Sequence, residues 1–527
     1  MGLFYSSFIN FLYFGIAFAV IHFMRLLLTI LLFTCYLASI GQLDPRLGYD
    51  LFKQTNYLDA VKELKRHLKY HPKDGKLLYH IGLCYLNTDE DRTLAAQYLE
   101  RAKNGDKAPK DTKFYLAIAY THTYEFEKAI ATMKDYIVDG GGKAVEAEAL
   151  MESFKEAKKL YDNPVNVTFE NMGEGINSEY PDYAAFVPEH EKFVVFTTRR
   201  ASNKARKEFD GYYPSDIFIS KFDGFKFSKA KGVSLNGTYD ESCVGISHDG
   251  DVLFVYRDYI SDAGDIYESP RTGTNFSKKR KIKEMVNDPE SIETSACLSA
   301  DGNTYFFASN RKGGKGLLDL YMTRKLPNGE WAEPQNINVL NSAGSEDYPS
   351  LSSDGKTLYF TSNGHGGMGG YDLFKCEWNP LNNTFSEPQN LGYPINTSYD
   401  DKTICFAGND KHAYVSQNRD GSYGNLDIYR ITFEEVELNP ALFVVSVQEE
   451  TLTNNVDGAV IFVYDSDDNQ VGEFKANDAN DIFMTLDPGI YSLEVEAPGY
   501  ELEIKELKVS EFDYQQGMIK LKIPLSK

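Results

Sequence analysis

The sequence predicts a multidomain chain: an α-helical solenoid, a five-bladed β-propeller and a small β-sandwich. Three observations predict it. From Leu43 to about Asp162 the apolar residues keep a helical period, in units of 34 to 35 residues. A compound strand-and-turn pattern then recurs five times, spaced 49, 54, 53 and 55 residues. From about Asn439 apolar and polar residues alternate between tight turns, the mark of short strands. A chain of 527 residues has room for several domains.

The first 40 residues are strongly apolar. Met24-Arg25, then LLLTILLFTCYL, then small residues Ser39 and Gly41 form the basic, apolar and small-residue regions of a secretory signal, with cleavage expected before Gln42. The signal peptide is assigned to 1–41, with Met24 as an alternative start. Phe8–Leu32 is also long enough for a membrane anchor, the competing reading. Lipidation at Cys35 is disfavoured, because the residues before it are Leu32, Phe33 and Thr34. The formal charge of −22 argues against nucleic acid or an anionic membrane as the main partner. Cys84, Cys243, Cys297, Cys376 and Cys405 are scattered and contain no C-x-x-C, so buried free thiols are expected and a zinc site is not.

Residues 42–162 are assigned to the helical repeats. Ala60, Ala95 and Ala129 are spaced 35 and 34, and Gly82-Leu83-Cys84-Tyr85 is echoed by Ala117-Ile118-Ala119-Tyr120. Small residues (Ala60, Gly82, Ala95, Ala117, Ala129) let paired helices approach, and Tyr85 and Tyr120 fill the layer between them. YLDAVKELKRHLKYHP (Tyr57–Pro72) resembles the second helix and closing proline of a tetratricopeptide repeat, and residues 143–161 read as a capping helix. The resemblance implies a concave face that grips a peptide or helix.

The propeller is assigned to 163–436. Asp216, Asp265, Asp319, Asp372 and Asp427 each start a strand of the type Asp-Leu-Phe. SHDGDVLFV (Ser247–Val255), SADGNTYFF (Ser299–Phe307) and SSDGKTLYF (Ser352–Phe360) are one turn and strand, with Asp249, Asp301 and Asp354 in the Asp-Gly turn. SNR, SNG and QNR follow at Ser309, Ser362 and Gln417, and EPQN runs start at Glu333 and Glu387. The strand-initial aspartates are expected to cap the loop before them by accepting backbone N–H bonds. The last copy lacks an outer strand, and VNVTFENMGEGINSEYPD (Val165–Asp182) aligns with the segment that supplies one elsewhere. Val165–Glu170 is therefore expected to close the ring. SSDGKTLYFTSN and GGYDLF resemble the WD-like repeats of TolB, whose propellers have six blades.

Residues 438–527 are assigned to the β-sandwich, about seven strands. The Gly458-Ala459, Asp487-Pro488-Gly489 and Pro498-Gly499-Tyr500 turns resemble those of the carboxypeptidase regulatory-like module. DSDDN (Asp465–Asn469) invites a calcium reading but lacks the glycine and terminal glutamate of an EF-hand, so a polar hairpin tip is expected.

Gly364–Gly369, GHGGMG, matches the dinucleotide fingerprint literally, yet a strand (YDLFKCEW) follows it where the fingerprint needs a helix. It is expected to be an accidental match in a crossing between strands. No G-x-S-x-G, H-E-x-x-H or P-loop occurs, and the nine histidines are dispersed. No catalytic, cofactor or metal residues are assigned, and no enzyme activity is expected.

The whole order resembles the PorE-related envelope proteins of Bacteroidota, which serve type IX secretion and gliding. The resemblance implies a periplasmic scaffold or adaptor against the outer membrane, complexed with envelope and outer-membrane proteins. Those relatives also carry an OmpA-like domain that grips peptidoglycan; none is expected here, nor a direct peptidoglycan anchor. The alternative is an envelope receptor that holds a glycan, peptide or cation at the propeller mouth.

Overall fold

The computed structural model describes residues 44–88, 91–201, 206–224, 226–237, 240–259, 262–283, 285–437, 440–450, 454–510, 513 and 518–527. The expected signal peptide at 1–41, its Met24 start and Cys35 lie outside the described residues.

The expected fold class is corrected by the structure. The described residues form a mostly β chain, with seven helices of 8 to 19 residues against many small antiparallel sheets, and no tetratricopeptide solenoid. The helices run from Arg46–Lys53 to Ala144–Asp162 and form one short block. A spacing of 34 to 35 residues is what two short antiparallel helices and their turns occupy, so it identifies stacked helix pairs but no extended superhelix. Ala60, Ala95, Ala117 and Ala129 are fully buried in this block, with Gly82 also buried, and Tyr85 and Tyr120 are nearly so. A Cβ on Gly82 would collide with the Leu99 side chain. Asp74 starts the helix Gly75–Leu86 by accepting the Lys76 and Leu77 N–H groups at 2.9 and 3.0 Å, which satisfies two donors the helix itself leaves open.

After the helices come five small sheets, four of them paired in chain order from an inner to an outer strand. The inner strands are Asp182–Phe186, Glu241–Ile246, Glu293–Leu298, Glu346–Leu351 and Ile404–Phe406. Each contacts the next, and the fifth contacts the first, so the strands form a closed ring. Val167–Asn171 pairs antiparallel with Asp427–Phe433 as the outer strand of the last sheet. The alignment of Val165–Glu170 with the outer-strand segments anticipates that pairing. It joins the two ends of the ring.

The Asp-Gly turns have one local chemistry. Ser247, Ser299 and Ser352 each donate a hydroxyl hydrogen to the Asp two residues on (Asp249, Asp301, Asp354), at 2.6, 2.5 and 2.7 Å. The same carboxylates accept the N–H groups of Asp251, Asn303 and Lys356. Gly250, Gly302 and Gly355 then take φ of 75°, 69° and 67°, which only glycine adopts cheaply.

At the carboxyl end, seven strands from Ala441–Glu449 to Met518–Leu525 form a three-stranded and a four-stranded sheet around a shared core of Val445, Ile461, Ile482 and Leu493. Met518–Leu525 pairs parallel to Ala441–Glu449.

Candidate functional site

The loops that shape the propeller mouth are held by a repeated set of polar side chains. Asp319 accepts the Lys315 and Gly316 N–H groups, Asp372 those of Met368 and Gly369, and Asp427 those of Tyr423 and Gly424. Asp265 instead pairs with Lys281 at 2.7 Å, and Asp216 stands half-buried at the equivalent strand start. Asp372 is pushed well above the usual carboxylate range, first by burial and then by the nearby Asp401. Asp319, Asp372 and Asp427 thus build their loops by facing backbone.

The residue after each of those aspartates is pinned by an asparagine that sequence reasoning did not single out. Asn236, Asn287, Asn341, Asn396 and Asn177 accept the N–H of Ile217, Ile266, Leu320, Leu373 and Ile428 through Oδ1, at 2.7 to 2.9 Å. Each returns its Nδ2 hydrogen to the same residue's carbonyl at 2.9 to 3.0 Å. The side-chain amide thus replaces a neighbouring strand where the loop cannot supply one. The signal was present as LNG, VND, LNS, INT and INS in the five copies.

A buried acid begins the first four inner strands (Asp182, Glu241, Glu293 and Glu346) and another, Asp401, stands three residues before the fifth, none more than 2% exposed. Arg200, Arg257 and Arg311 pair with the first three at 3.0, 3.3 and 3.1 Å. In the fifth copy Arg419 reaches Asp401 through Gln417, at 2.7 and then 2.6 Å. Burial raises Asp182 and Glu293, and lifts Asp401 to about 7.

GHGGMG belongs to this scheme. The fourth copy has Gly364 where the first, third and fifth have Arg200, Arg311 and Arg419, and His365 takes over. Its Nε2 lies 2.7 Å from the Leu340 carbonyl and 3.9 Å from Glu346. Arg200 and Arg311 donate to the matching carbonyls of Ile176 and Val286, and in the fifth copy Gln417 donates to the matching Ile395 carbonyl while Arg419 donates to Pro394 beside it. Cβ atoms on Gly367 and Gly369 would collide with the Asp372 carboxylate and the Tyr399 carbonyl. Met368 packs into Phe126 and Ala157 of the helical block. The stretch is a blade loop and a joint between domains, and a strand follows it at Asp372–Asn379.

Within the ring lies a cavity of about 290 Å³, lined by Tyr183, Tyr212, Tyr348, Arg199, Asp400, Lys402, Thr403 and Ser416 among others. Its parts come from three copies. Tyr183 belongs to the first inner strand and Tyr348 to the fourth, Thr403 precedes the fifth, and Ser416 lies on the strand beside it. Tyr348 has φ of 49° at a register shift in its strand and lines the cavity. Tyr183 shares a hydrogen bond with Ser215 at 3.0 Å, and Tyr212 accepts one from Asn425 at 2.7 Å. Arg199 is taken up by Glu208 at 2.7 Å and by Asp210. The Lys402 ammonium sits 4.0 Å from Asp400 and 5.0 Å above the Tyr371 ring. Asp347 lies beneath, accepting from Thr294 at 2.7 Å, from Ser295 and from the Tyr348 N–H at 2.8 Å. Burial raises its pKa against the opposing pull of Lys402. Ser416 is 8% exposed, and its hydroxyl has no hydrogen-bond partner among the described residues.

Elsewhere, chemistry is quiet. Cys84, Cys243, Cys297, Cys376 and Cys405 are free and buried, and desolvation pushes each thiol up to about 12. The Asp465 carboxylate is consumed by its own hairpin, accepting the Asp467 and Asn469 N–H groups at 2.9 Å. Among the described residues no cluster of three or more His, Cys, Asp or Glu could hold a metal, and no helix is long and apolar enough to cross a membrane.

No family model matches the chain, and no curated protein matches it. Solved structures do. TolB from Acinetobacter baumannii is 16% identical over 49% of this chain and 56% of that one, with a TM-score of 0.30. A putative TolB from Agrobacterium tumefaciens is 12% identical over 65% and 88%, at 0.30. The periplasmic gluconolactonase of Pseudomonas aeruginosa is 13% identical over 63% and 86%, at 0.28. The structural neighbours are thus TolB-type β-propeller proteins, and no match ties the chain to the PorE-related proteins. The match spans little more than half the length of the first TolB. At these TM-scores the likeness carries no argument about ligand or activity.

Proposed function

We propose that this protein is a non-enzymatic binding protein of the cell envelope, which holds its ligand at the propeller mouth. The observation that supports the reading is the tyrosine-lined cavity of about 290 Å³ with an unpartnered, buried Ser416 hydroxyl in its wall. Concave sites that combine aromatic walls with a few placed polar groups are the usual form of ligand sites. The compartment proposed is the periplasm, on the strength of the signal-peptide pattern before Gln42.

A second reading, favoured by the PorE-like domain order, makes the protein a scaffold of an outer-membrane-associated complex of type IX secretion or gliding. The joint between helices and propeller suits it, because buried contacts through Met368, Tyr393 and His122 hold two outer surfaces in fixed relation.

The mouth reading is tested by thermal shift with peptides, oligosaccharides and Ca²⁺, on the wild type and on Ser416→Phe, which fills the cavity. A ligand that raises the wild-type Tm and leaves the variant unmoved is the expected result. A flat screen, or equal shifts in both proteins, would overturn it.

A further inference from the structure

Resting on the mouth as a binding site, we infer that its ligand is a neutral saccharide, held by a pair of hydroxyls between Asp400 and Lys402 with a sugar face against the tyrosines.

The argument starts from charge. Arg199 lines the cavity, but its guanidinium is already taken up by two carboxylates, Glu208 and Asp210. What remains at the wall is one carboxylate and one ammonium, Asp400 and Lys402, held 4.0 Å apart. Asp400 Oδ1 accepts the Tyr371 N–H at 3.2 Å, but the distance from Oδ2 to Lys402 is beyond hydrogen-bond length, so Oδ2 and the ammonium have capacity left over. A cationic ligand would meet Lys402, and an anionic one would meet Asp400 with buried Asp347 behind it. A group that both donates and accepts avoids both penalties. Adjacent hydroxyls do this: one donates to the Asp400 carboxylate while its neighbour accepts from the Lys402 ammonium.

The other wall groups have the same two-way character. The Ser416 hydroxyl is buried and unpartnered, which costs free energy until something bonds to it. Thr403, 5% exposed, also lines the cavity. Tyr183, Tyr212 and Tyr348 supply amphipathic ring surface, onto which the C–H face of a sugar can pack while ring-edge hydroxyls reach the polar wall. A peptide would offer amides at the same polar groups, but extended backbone has no flat apolar face to cover three rings.

The test is calorimetric titration of the full chain with neutral tetrasaccharides built from glucose, mannose or N-acetylglucosamine, beside a galacturonate tetrasaccharide, tetrapeptides and CaCl₂. Binding of at least one neutral saccharide is expected. Tyr348→Ala should abolish it, and Asp400→Asn and Lys402→Met should each weaken it at least tenfold. Lys402 is half-exposed, so the Lys402→Met protein should keep the wild-type melting temperature, which separates lost binding from lost folding. Binding of only the peptide, the acidic saccharide or Ca²⁺, abolished by Ser416→Phe, would overturn the saccharide assignment and leave the mouth reading standing. Saccharide binding insensitive to all three wall variants would place it elsewhere and overturn the inference. No binding of any probe would overturn both.

Discussion

At the scale of single residues, the buried polar groups carry the pH behaviour of the molecule. His122 is 6% exposed, with Nδ1 3.1 Å from the Ser398 hydroxyl across the joint between helices and propeller. Burial, helped by Arg92, lowers its pKa from 6.5 to about 3. Between those values the unfolded chain binds a proton that the folded chain refuses, so this group makes stability fall as pH drops through 6.5. Asp401 works in the opposite direction. Its value is raised from 3.8 to about 7, so the folded state keeps a proton the unfolded state has lost, and stability falls as pH rises through that window. Comparing His122→Asn with the wild type isolates the first effect. The wild type should lead at pH 7.5, and its lead in urea-unfolding free energy should shrink below pH 6.5, by at most about 1.4 kcal/mol per pH unit. A constant difference from pH 7.5 to 4.5 would show that His122 is not held neutral.

At the scale of elements, the recurrent asparagine decides whether a blade loop keeps its shape. Asn341 makes two hydrogen bonds to buried Leu320 and a third to Asn336. Asn341→Ala leaves the Leu320 N–H and C=O short of partners, at a cost of about 2–4 kcal/mol. Asn338→Ala, at an exposed position of the same loop, should cost under about 0.5 kcal/mol. Equal costs in chemical denaturation would remove the asparagine from this role. The contrast also explains what sequence could reveal. The Ser-x-Asp-Gly turns were legible because their bonds close within five residues. The closing strand was legible because its segment aligned with the outer-strand copies. The asparagine was visible as a letter and invisible as a contact, since its partner lies 21 residues away in one copy and 251 in another. A mouth was expected from the repeats, but none of its residues was legible. Tyr183, Tyr348 and Lys402 occupy positions where the repeats differ, and only ring closure brings them together. The solenoid expectation failed for a related reason: local helix periodicity says which helices pair, and long-range docking decides what they build.

At the scale of the whole molecule, two contacts make one body from separate sequence blocks. The first is ring closure, where Val167–Asn171 joins the last blade and the Arg419 guanidinium lies 3.3 Å from the centre of the Phe169 ring. The second is the joint of helices and propeller. Met368, 6% exposed, sits with Phe126 and Ala157. Beside it Tyr124, Tyr161 and Tyr393 form a ring cluster, with centroids 4.8 to 5.5 Å apart. Tyr399 adds a hydrogen bond from the Arg92 N–H at 3.1 Å. Because Met368, Phe126 and Ala157 bury apolar surface from both blocks and the tyrosines flank them, the helical block should borrow stability from the propeller and unfold with it in one calorimetric transition. Met368→Asp places a charge in the joint, close to Glu156, which already lies against Gly366. The helical block should then melt separately and earlier, while the propeller transition moves by only a few degrees. Met368→Leu, which keeps the volume, should retain the single transition. If Met368→Asp instead lowers one undivided transition, the loop serves the blade alone, and coupling between the two blocks must run through the tyrosine cluster and His122.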